Sequence, residues 1–424
     1  MNVRSTRGGA EVPLSAAIAS GQAPDGGLYL PPPVPPHAGP WGEGLPAHAA
    51  AVLRPWFAGD VLAPQLDAIV RESFTFSAPV RWLDDATGLL ELFHGPTAAF
   101  KDFGARFLAA CLQRLTPADE RRTVLVATSG DTGAAVAAAF WRRPRCRVVV
   151  LYPDGRVSPR QAHQLAAFGD NVTTCRVAGS FDDCQALVKR AFADAHLTAR
   201  HGLVSANSIS LGRLLPQAAY HAHAALAVAA RGRSPAHIVV PTGNLGNAFA
   251  CLLAREAGAP IGDVVLATNR NRVLPDFLRT GHYAPTASLA TLANAMDVGA
   301  PSNLERLRAR WAEPAEAVTA DWVDDDAIRA TIRATATTYG AFVCPHTACG
   351  LAVLQRRRRA GARGTWLVAA TAHPAKFETV VEPLVGQPVP VPPPLAELLA
   401  RPAHAEPLAA DLGALRQRLD RLAD

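Results

Sequence analysis

The sequence predicts an α/β protein in which parallel β-sheets carry helices on both faces. Five short, apolar, β-rich runs are each followed by a turn and an alanine-rich helical pattern: 123–127, 147–152, 237–240, 263–268 and 365–370. Strands that alternate with helices form parallel sheets, because each crossover helix packs on a face of the sheet. The chain has 424 residues, 49% of them apolar, which is enough for two or three domains with a large core.

Composition and the lack of targeting signals favour a cytoplasmic protein. No uninterrupted apolar stretch approaches the ~20 residues that cross a bilayer, and no hydrophobic signal core follows the first seven residues. The seven cysteines are scattered without a Cys-x-x-Cys pair, so we expect reduced thiols. Cys344, His346 and Cys349 form a cluster in sequence, but no second cluster supplies further ligands, and we expect no metal.

The net charge of +6 raises the question of an acidic partner such as nucleic acid. The basic residues are spread along the whole chain, however, and the one dense run, 356–359, ends a helical pattern. Cations at that position complement the helix dipole. We therefore expect neither a nucleic-acid partner nor a membrane partner.

Lysine is rare in this chain, which narrows the search for covalent chemistry. It occurs only at 101, 189 and 376, and arginine supplies the other side-chain cations that stay charged at neutral pH. A guanidinium cannot form an imine with an aldehyde cofactor, whereas a neutral lysine amine can. Lys189 lies on the polar face of a predicted amphipathic helix, which is an ordinary surface position.

Lys101 lies where a Gly-Pro turn at 95–96 leads into a helix predicted over 103–112. Apolar neighbours and the positive end of that helix disfavour the ammonium form, which lowers the pKa from ~10.4 toward the ~7 to 8 that a catalytic amine needs. The alternative is a surface lysine that pairs with Asp102.

Two glycine-containing turns follow predicted strands and open predicted helices. The turn at 241–247 enters a helix over 248–257, where unpaired N–H groups and the helix dipole favour a phosphate. The turn at 128–133 enters a helix over 134–140 and suits a smaller anion, such as an amino-acid carboxylate. The alternatives are a purely structural helix start in the first turn and, in the second, a simple N-cap by Ser129, Asp131 or Thr132.

Together these segments resemble the threonine synthase family, which belongs to the fold type II enzymes that use pyridoxal 5'-phosphate (PLP). The resemblance covers nearly the whole chain and implies two catalytic domains plus an N-terminal segment. Its motifs occur in order: Ser-Thr-Arg-Gly at 5–8, Gly-Gln-Ala-Pro-Asp-Gly-Gly-Leu-Tyr at 21–29, Glu-Leu-Phe-His-Gly-Pro-Thr at 91–97, Thr-Ser-Gly-Asp-Thr-Gly at 128–133, Ser-Ala-Asn-Ser-Ile at 205–209, Gly-Asn-Leu-Gly-Asn at 243–247, Asn-Ala-Met-Asp-Val-Gly at 294–299 and Thr-Ala-His-Pro-Ala-Lys-Phe at 371–377.

By this resemblance PLP is the cofactor and Lys101 is the catalytic residue, as its Schiff-base lysine. The Thr371 hydroxyl, at the end of the strand 365–370, would meet the pyridine nitrogen. Ser129 and Thr132 would bind the substrate carboxylate, and Asp131, which belongs to the same substrate site, would lie beside it in a position to relay protons. The residues implied to hold the cofactor phosphate are Gly243, Asn244, Leu245, Gly246 and Asn247.

The segment 205–215 is predicted to be a loop that enters a helix and places Arg213 beside Asn207 and Ser208. A forked guanidinium can contact two phosphate oxygens at once. We therefore predict that Arg213 binds a substrate phosphate and that Asn207 also contacts the substrate. The alternative is a surface arginine that complements nearby acids. Ser210 departs from the family pattern, since relatives often carry Asn there.

The implied reaction converts O-phospho-L-homoserine and water to L-threonine and phosphate, as a carbon–oxygen lyase of threonine biosynthesis. Two alternatives stay open. Another fold type II enzyme, such as a threonine or serine dehydratase or a cysteine synthase, would lack the first and last motifs. A nonenzymatic sensor on the same fold would not need Lys101.

We expect a small-molecule substrate and a monomer or homodimer. The expected organisation has four parts: an N-terminal segment (1–90), an α/β region that bears the lysine and includes the small domain (91–205), a large PLP-binding α/β domain (206–385) and a C-terminal extension (386–424).

Overall fold

The computed structural model describes residues 1–422, which form three β-sheets and the helices that cover them. The strands are β1 (Asn2–Ser5), β2 (Val12–Pro13), β3 (Tyr29–Leu30), β4 (Val80–Trp82), β5 (Thr87–Glu91), β6 (Arg122–Ala127), β7 (Cys146–Pro153), β8 (Val172–Val177), β9 (Leu203–Ser205), β10 (Ala236–Pro241), β11 (Ile261–Thr268), β12 (Thr319–Trp322), β13 (Thr365–Ala370) and β14 (Glu406–Leu408).

The α-helices alternate with these strands through most of the chain. They are α1 (Leu14–Ser20), α2 (Gly44–Phe57), α3 (Leu66–Ser73), α4 (Lys101–Leu115), α5 (Asp131–Phe140), α6 (Pro159–Ala166), α7 (Phe181–Ala193), α8 (Ala195–His201), α9 (Leu211–Leu214), α10 (Gln217–Ala229), α11 (Gly246–Glu256), α12 (Val273–Thr280), α13 (Leu304–Arg310), α14 (Pro314–Ala317), α15 (Asp325–Tyr339), α16 (Pro345–Arg359), α17 (Glu378–Val385), α18 (Pro393–Leu399) and α19 (Leu412–Arg421). Short 3-10 turns occur at Ala63–Gln65, Asn294–Met296 and Pro374–Phe377.

The two larger sheets are parallel almost throughout, as predicted. The six-stranded sheet has the order β12-β11-β10-β13-β5-β4, in which only the edge strand β4 runs antiparallel to its neighbour. The five-stranded sheet has the order β14-β8-β7-β6-β9 and is parallel in every pair. A small antiparallel sheet, β2-β1-β3, is formed by the N-terminal segment.

All five predicted strands form, and none of their ends differs from the prediction by more than two residues. They belong to different sheets: β6 and β7 lie in the five-stranded sheet, whereas β10, β11 and β13 lie in the six-stranded one. The expected parts 91–205 and 206–385 group these runs in the same way, although each run is equally apolar and nothing local specifies its partner strand.

The central strands are buried on both faces, which explains their continuous apolar composition. In β10, Ile238 and Val240 pack into one hydrophobic cluster and Val239 into another on the opposite face. In β6, Val124 and Val126 pack into the same cluster as Ile238, while Leu125 faces a third cluster. One core therefore continues between the two sheets.

The ends of the chain are tied into this architecture. Val3 and Tyr29 from the N-terminal segment are buried in the core that continues between the sheets. Strand β14 extends the five-stranded sheet, and Leu415 and Leu419 of α19 pack against the same sheet. The predicted boundaries at 90, 205 and 385 remain predictions. Among residues 1–422, no helix combines the length and apolar character needed to cross a membrane.

Candidate active site

The candidate site lies where loops leave the carboxyl ends of four parallel strands. In the six-stranded sheet the loops follow β5, β13 and β10, which are neighbours, and in the five-stranded sheet the loop follows β6. Helices α4, α5 and α11 begin at three of these loops. Ligands of parallel α/β sheets bind at such edges, because helix N-termini and loop side chains converge there.

Lys101 is the first residue of α4 and is half-buried. Its Nζ lies 5.7 Å from the centre of the Phe100 ring and hydrogen-bonds to none of the described residues. Burial lowers the pKa of Lys101 to about 8, with a smaller contribution of the same sign from the charges of Arg213 and Lys376. Asp131 opposes the shift. The amine is therefore unengaged and readily deprotonated.

The alternative pairing of Lys101 with Asp102 does not occur. Asp102 is buried, and its carboxylate accepts hydrogen bonds from the Thr97 N–H at 2.9 Å and the Thr97 hydroxyl at 2.7 Å. Burial raises the pKa of Asp102 to about 6. This carboxylate fixes the turn that precedes α4, which explains why an acid follows the lysine directly.

Backbone contacts hold Lys101 beside the end of β13. The Phe100 N–H donates to the carbonyl of Thr371 at 2.8 Å, and Ala99 pairs with Ala372 in an antiparallel bridge. Thr371 follows the last residue of β13 and is 6% exposed. Its hydroxyl forms no hydrogen bond within residues 1–422, so it is available to a ligand.

The turn after β10 packs closely against neighbouring segments and leads into the buried start of α11. Leu245 adopts a left-handed conformation with φ of 64°, and its N–H donates to the Thr242 hydroxyl at 3.2 Å. A Cβ added at Gly243 would lie 2.8 Å from the Cα of Met296, whereas a Cβ at Gly246 would meet nothing closer than 3.7 Å. Gly243 thus allows the segment 294–299 to pack on the turn. The backbone N–H groups of Gly246 and Asn247 donate to no described residue, as is usual for the first residues of a helix.

The two asparagines of this turn have different surroundings. The Asn244 amide donates to the Ser208 hydroxyl at 2.6 Å, and the Asn244 carbonyl accepts from Asn303 at 2.8 Å. Asn247 accepts hydrogen bonds from Tyr220 at 3.0 Å and from His221 at 2.7 Å. Its amide Nδ2 is buried and has no partner among the described residues. An orphaned donor in the first turn of a helix suits a bound phosphate.

The turn after β6 is capped by a residue that the sequence does not single out. The Thr128 hydroxyl accepts from the Gly130 N–H at 3.0 Å and the Gly133 N–H at 2.9 Å. The simple N-cap by Ser129, Asp131 or Thr132 is therefore absent. The hydroxyls of Ser129 and Thr132 donate to no described residue and are available to an anion.

Asp131 forms a buried ion pair that the sequence does not predict. Its Oδ1 lies 2.7 Å from Lys376 Nζ and also accepts from the Gln161 amide at 2.9 Å. Although burial acts in the opposite direction, Lys376 and Lys101 hold the pKa of Asp131 well below its usual range. Lys376 is fully buried and also donates to the Thr97 carbonyl at 2.8 Å. The rarity of lysine and the position of Lys376 in the last motif are the only sequence signals for it.

Arg213 is buried in α9, with 2% of its surface exposed. Its Nη1 donates to the carbonyl of Ala206 at 2.6 Å, its Nε is buried without a partner in the described chain, and burial lowers its pKa to about 10. Because Arg213 forms no ion pair with any described residue, the alternative of a surface arginine beside acids does not hold. Asn207 is half-buried before α9, and its side chain bonds to no described residue.

Three family models match the chain. The model described as pyridoxal-phosphate dependent enzyme matches residues 88–371, threonine synthase N terminus matches 2–74, and threonine synthase, C-terminal, matches 347–418. The first match covers the lysine, both glycine turns and Thr371. Fold and site therefore define the class: the chain is a pyridoxal-phosphate dependent enzyme of fold type II.

Comparisons with individual proteins identify the family within this class. Threonine synthase of Escherichia coli (strain K12) is 41% identical over 374 residues, which are 87% of this chain and 86% of that protein. The crystal structure of threonine synthase from Escherichia coli superposes with a TM-score of 0.90, at 37% identity over 99% of this chain and all of the other. The PLP-bound threonine synthase from Brucella melitensis gives 0.89, at 34% identity over 100% and 99% of the two chains. This chain belongs to the threonine synthase family.

Proposed function

We propose that the chain converts O-phospho-L-homoserine and water to L-threonine and inorganic phosphate, with Lys101 as the lysine that binds the PLP aldehyde. The observation that supports this proposal most directly is that the Lys101 amine is unbonded and has a lowered pKa. Of the three lysines, Lys189 is exposed on α7 and Lys376 is bonded to Asp131 and Thr97, whereas the Lys101 amine is unengaged and has a pKa of about 8. An amine with these properties can bind an aldehyde and exchange protons near neutral pH.

The cofactor would be held at its two ends. The start of α11, with Gly243, Asn244, Leu245, Gly246 and Asn247, offers N–H groups and the orphaned Asn247 amide to the phosphate. The Thr371 hydroxyl at the end of β13 is free to meet the pyridine nitrogen. When bound, PLP supplies an electron sink for the bonds at the substrate's α-carbon.

The substrate would also be held at its two charged ends. The free hydroxyls of Ser129 and Thr132, with the start of α5, are proposed to bind the carboxylate. Arg213 is proposed to bind the phosphate, and Asn207 lies in the same segment. The charge of Arg213 affects the pKa of Lys101, which supports a position facing the same space.

Lys101 would then move the protons. With the substrate bound, the Lys101 amine would take the proton from its α-carbon. The C–O bond at Cγ breaks after loss of a β-proton, and phosphate leaves toward Arg213. A proton would return to Cγ, the hydroxyl of water would add at Cβ, and a proton would return to the α-carbon, which gives threonine. Asp131 is proposed to belong to the substrate site, where its buried carboxylate is paired with Lys376.

Further proposals concern the location, the partners and the domain organisation of the chain. We propose that the chain works in the cytoplasm as a monomer or homodimer. We also propose that it binds no nucleic acid, because its basic residues are spread along the sequence. We also propose the division into parts 1–90, 91–205, 206–385 and 386–424.

One assay tests the proposed reaction. Purified protein loaded with PLP should release threonine and phosphate in equal amounts from O-phospho-L-homoserine, without an oxoacid product. A dehydratase would form an oxoacid and ammonia from threonine or serine. Lys101→Ala protein should form neither product. Phosphate release without threonine would contradict the proposal.

A further inference from the structure

The buried pair of Asp131 and Lys376 lies within the turn that is proposed to bind the substrate carboxylate. Asp131 is the first residue of α5 and stands between Ser129 and Thr132 in the sequence. It is 4% exposed, and Lys376 is fully buried. The Asp131 carboxylate would strongly repel a substrate carboxylate bound at this turn, because little water screens charges in a buried site.

Lys376 is placed to cancel that repulsion. Its Nζ lies 2.7 Å from Asp131 Oδ1, so the two charges are compensated over a short distance. Gln161 donates to the same oxygen at 2.9 Å but carries no charge. Within residues 1–422, Lys376 is the one cation that forms an ion pair with Asp131.

The backbone around Lys376 is anchored by contacts that do not need its charge. The Ser158 hydroxyl donates to the Lys376 carbonyl at 2.8 Å, and Arg160 donates to the Ala375 carbonyl at 2.7 Å. The segment is thus held against α6 by separate bonds. The ammonium group itself contacts only the Asp131 carboxylate and the Thr97 carbonyl among its hydrogen-bond partners in the described chain.

We propose that Lys376 is a positioning residue that neutralises Asp131, so that the turn at 128–133 can accept the substrate carboxylate. The inference rests on the proposed carboxylate site. It assigns a function to Lys376 that does not involve bonding to the cofactor. The ion pair also keeps Asp131 ionised. Because the charges of Asp131 and Lys376 cancel, the pair can hold the turn in place without repelling the substrate carboxylate.

The test compares Lys376→Met, Asp131→Asn and the double variant Asp131→Asn/Lys376→Met, all loaded with PLP. L-Threonine is the probe, because it carries the carboxylate but no phosphate, and its dissociation constant is measured by calorimetry. Lys376→Met should weaken L-threonine binding roughly 10- to 100-fold, since a buried carboxylate is left unpaired beside the ligand. The double variant should regain most of this loss, because neither charge remains. Lys189→Met, at an exposed lysine, is the matched control and should bind as wild type.

A double variant as weak as Lys376→Met would overturn the inference, since charge compensation would then not be the role of the lysine. Ser129→Ala separates this outcome from failure of the carboxylate site. If Ser129→Ala weakens L-threonine binding while the double variant is not rescued, the inference alone fails. If Ser129→Ala binds L-threonine as wild type, the carboxylate assignment fails, and the inference fails with it. Inorganic phosphate should bind equally to all these variants.

Discussion

The reactivity of Lys101 comes from its surroundings rather than from its own chemistry. Burial is the main cause of its lowered pKa, and the charges of Arg213 and Lys376 add to it. Asp131 would raise the pKa, but its own charge is compensated by Lys376. A change at any of these charges should therefore alter the amine that is proposed to do the chemistry.

The first prediction concerns pH. With a pKa of about 8, roughly a tenth of Lys101 is neutral at pH 7, against less than about one part in a thousand for an ordinary lysine. The rate at which the cofactor-free protein binds PLP covalently should rise with pH and level off above about 8, because only the neutral amine attacks the aldehyde. Stopped-flow absorbance across this range measures it. A rate that keeps rising beyond pH 10 would show an unperturbed lysine.

The second prediction concerns Arg213. Arg213→Ala should lower kcat/KM for O-phospho-L-homoserine by roughly 30- to 1,000-fold, or about 2 to 4 kcal/mol, because a charge-assisted bond to the phosphate is lost. The PLP content should stay at the wild-type level. Arg106→Ala is the control for loss of a part-buried arginine, since Arg106 bonds to the carbonyls of Glu72 and Ser73 instead. If both variants lowered kcat/KM equally, Arg213 would have a structural role and would not bind the substrate phosphate.

Residue roles divide into those that local sequence predicts and those that it cannot. Burial, the main cause of the lowered pKa of Lys101, is indicated by its apolar neighbours in the sequence, whereas the charges of Arg213 and Lys376 come from distant segments. The ion pair of Asp131 with Lys376 joins positions 245 apart in sequence number, and no local pattern indicates it. No local pattern identifies Thr128 as the capping residue either, because several hydroxyls in its turn are equally able to cap the helix.

At the scale of elements, the turn between β10 and α11 combines close packing at one glycine with unpaired donors at the start of the helix. A Cβ at Gly243 would overlap the segment 294–299, whereas a Cβ at the buried Gly246 would make only ordinary contacts, with Asn303 and Ser208. The sequence predicts the turn and the helix start, but the helix begins at Gly246 rather than at the predicted 248. The earlier start places the Asn247 side chain within the helix's first turn, where its amide is left unpaired.

The third prediction concerns this turn. In Gly243→Ala the new Cβ would lie 2.8 Å from the Met296 Cα, so the backbone of one segment must move. Overpacking of this kind costs about 1 to 3 kcal/mol, and PLP should bind roughly 5- to 150-fold more weakly. Equilibrium dialysis of the cofactor measures the change. Gly169→Ala, where nothing lies within 4 Å of the added Cβ, should bind PLP normally. Unchanged affinity in Gly243→Ala would place the cofactor phosphate elsewhere.

At the scale of the whole molecule, Arg306 joins three distant parts of the chain. It is fully buried in α13, and its guanidinium donates to the carbonyls of Tyr29 and Ile209 and to the Asn303 side chain. Asn303 in turn bonds to Asn244. The N-terminal segment, the loop before α9 and the turn before α11 are therefore held by one cation, whose pKa burial lowers to about 9.

The fourth prediction is that Arg306→Met destabilises the fold and loosens the cofactor turn together. Loss of three hydrogen bonds from a buried charged group should lower the free energy of unfolding by about 2 to 5 kcal/mol. Urea denaturation and PLP retention during dialysis measure the two effects. Arg308→Met, at an exposed position of the same helix, is the control. Lower stability with full PLP retention would show that Arg306 does not support the turn.

Local sequence patterns predict the individual strands and helices of the molecule, but they do not show how these elements pack together. Alternating strand and helix patterns predict β6, β7, β10, β11 and β13, since the pattern is local. Which sheet each strand joins depends on contacts between distant segments. Arg306 illustrates the same limit, because its three partners meet only in the folded chain and its sequence surroundings are those of an ordinary charged helix.

The central claim is that Lys101 binds the PLP aldehyde, and borohydride reduction tests it most directly. Reduction of the PLP-loaded protein fixes the cofactor to its lysine, and peptide mapping by mass spectrometry locates the modified residue. We expect the phosphopyridoxyl group on the peptide that contains Lys101, and none in Lys101→Ala protein. Modification of Lys376, which lies in the same site, or of the exposed Lys189 would contradict the account.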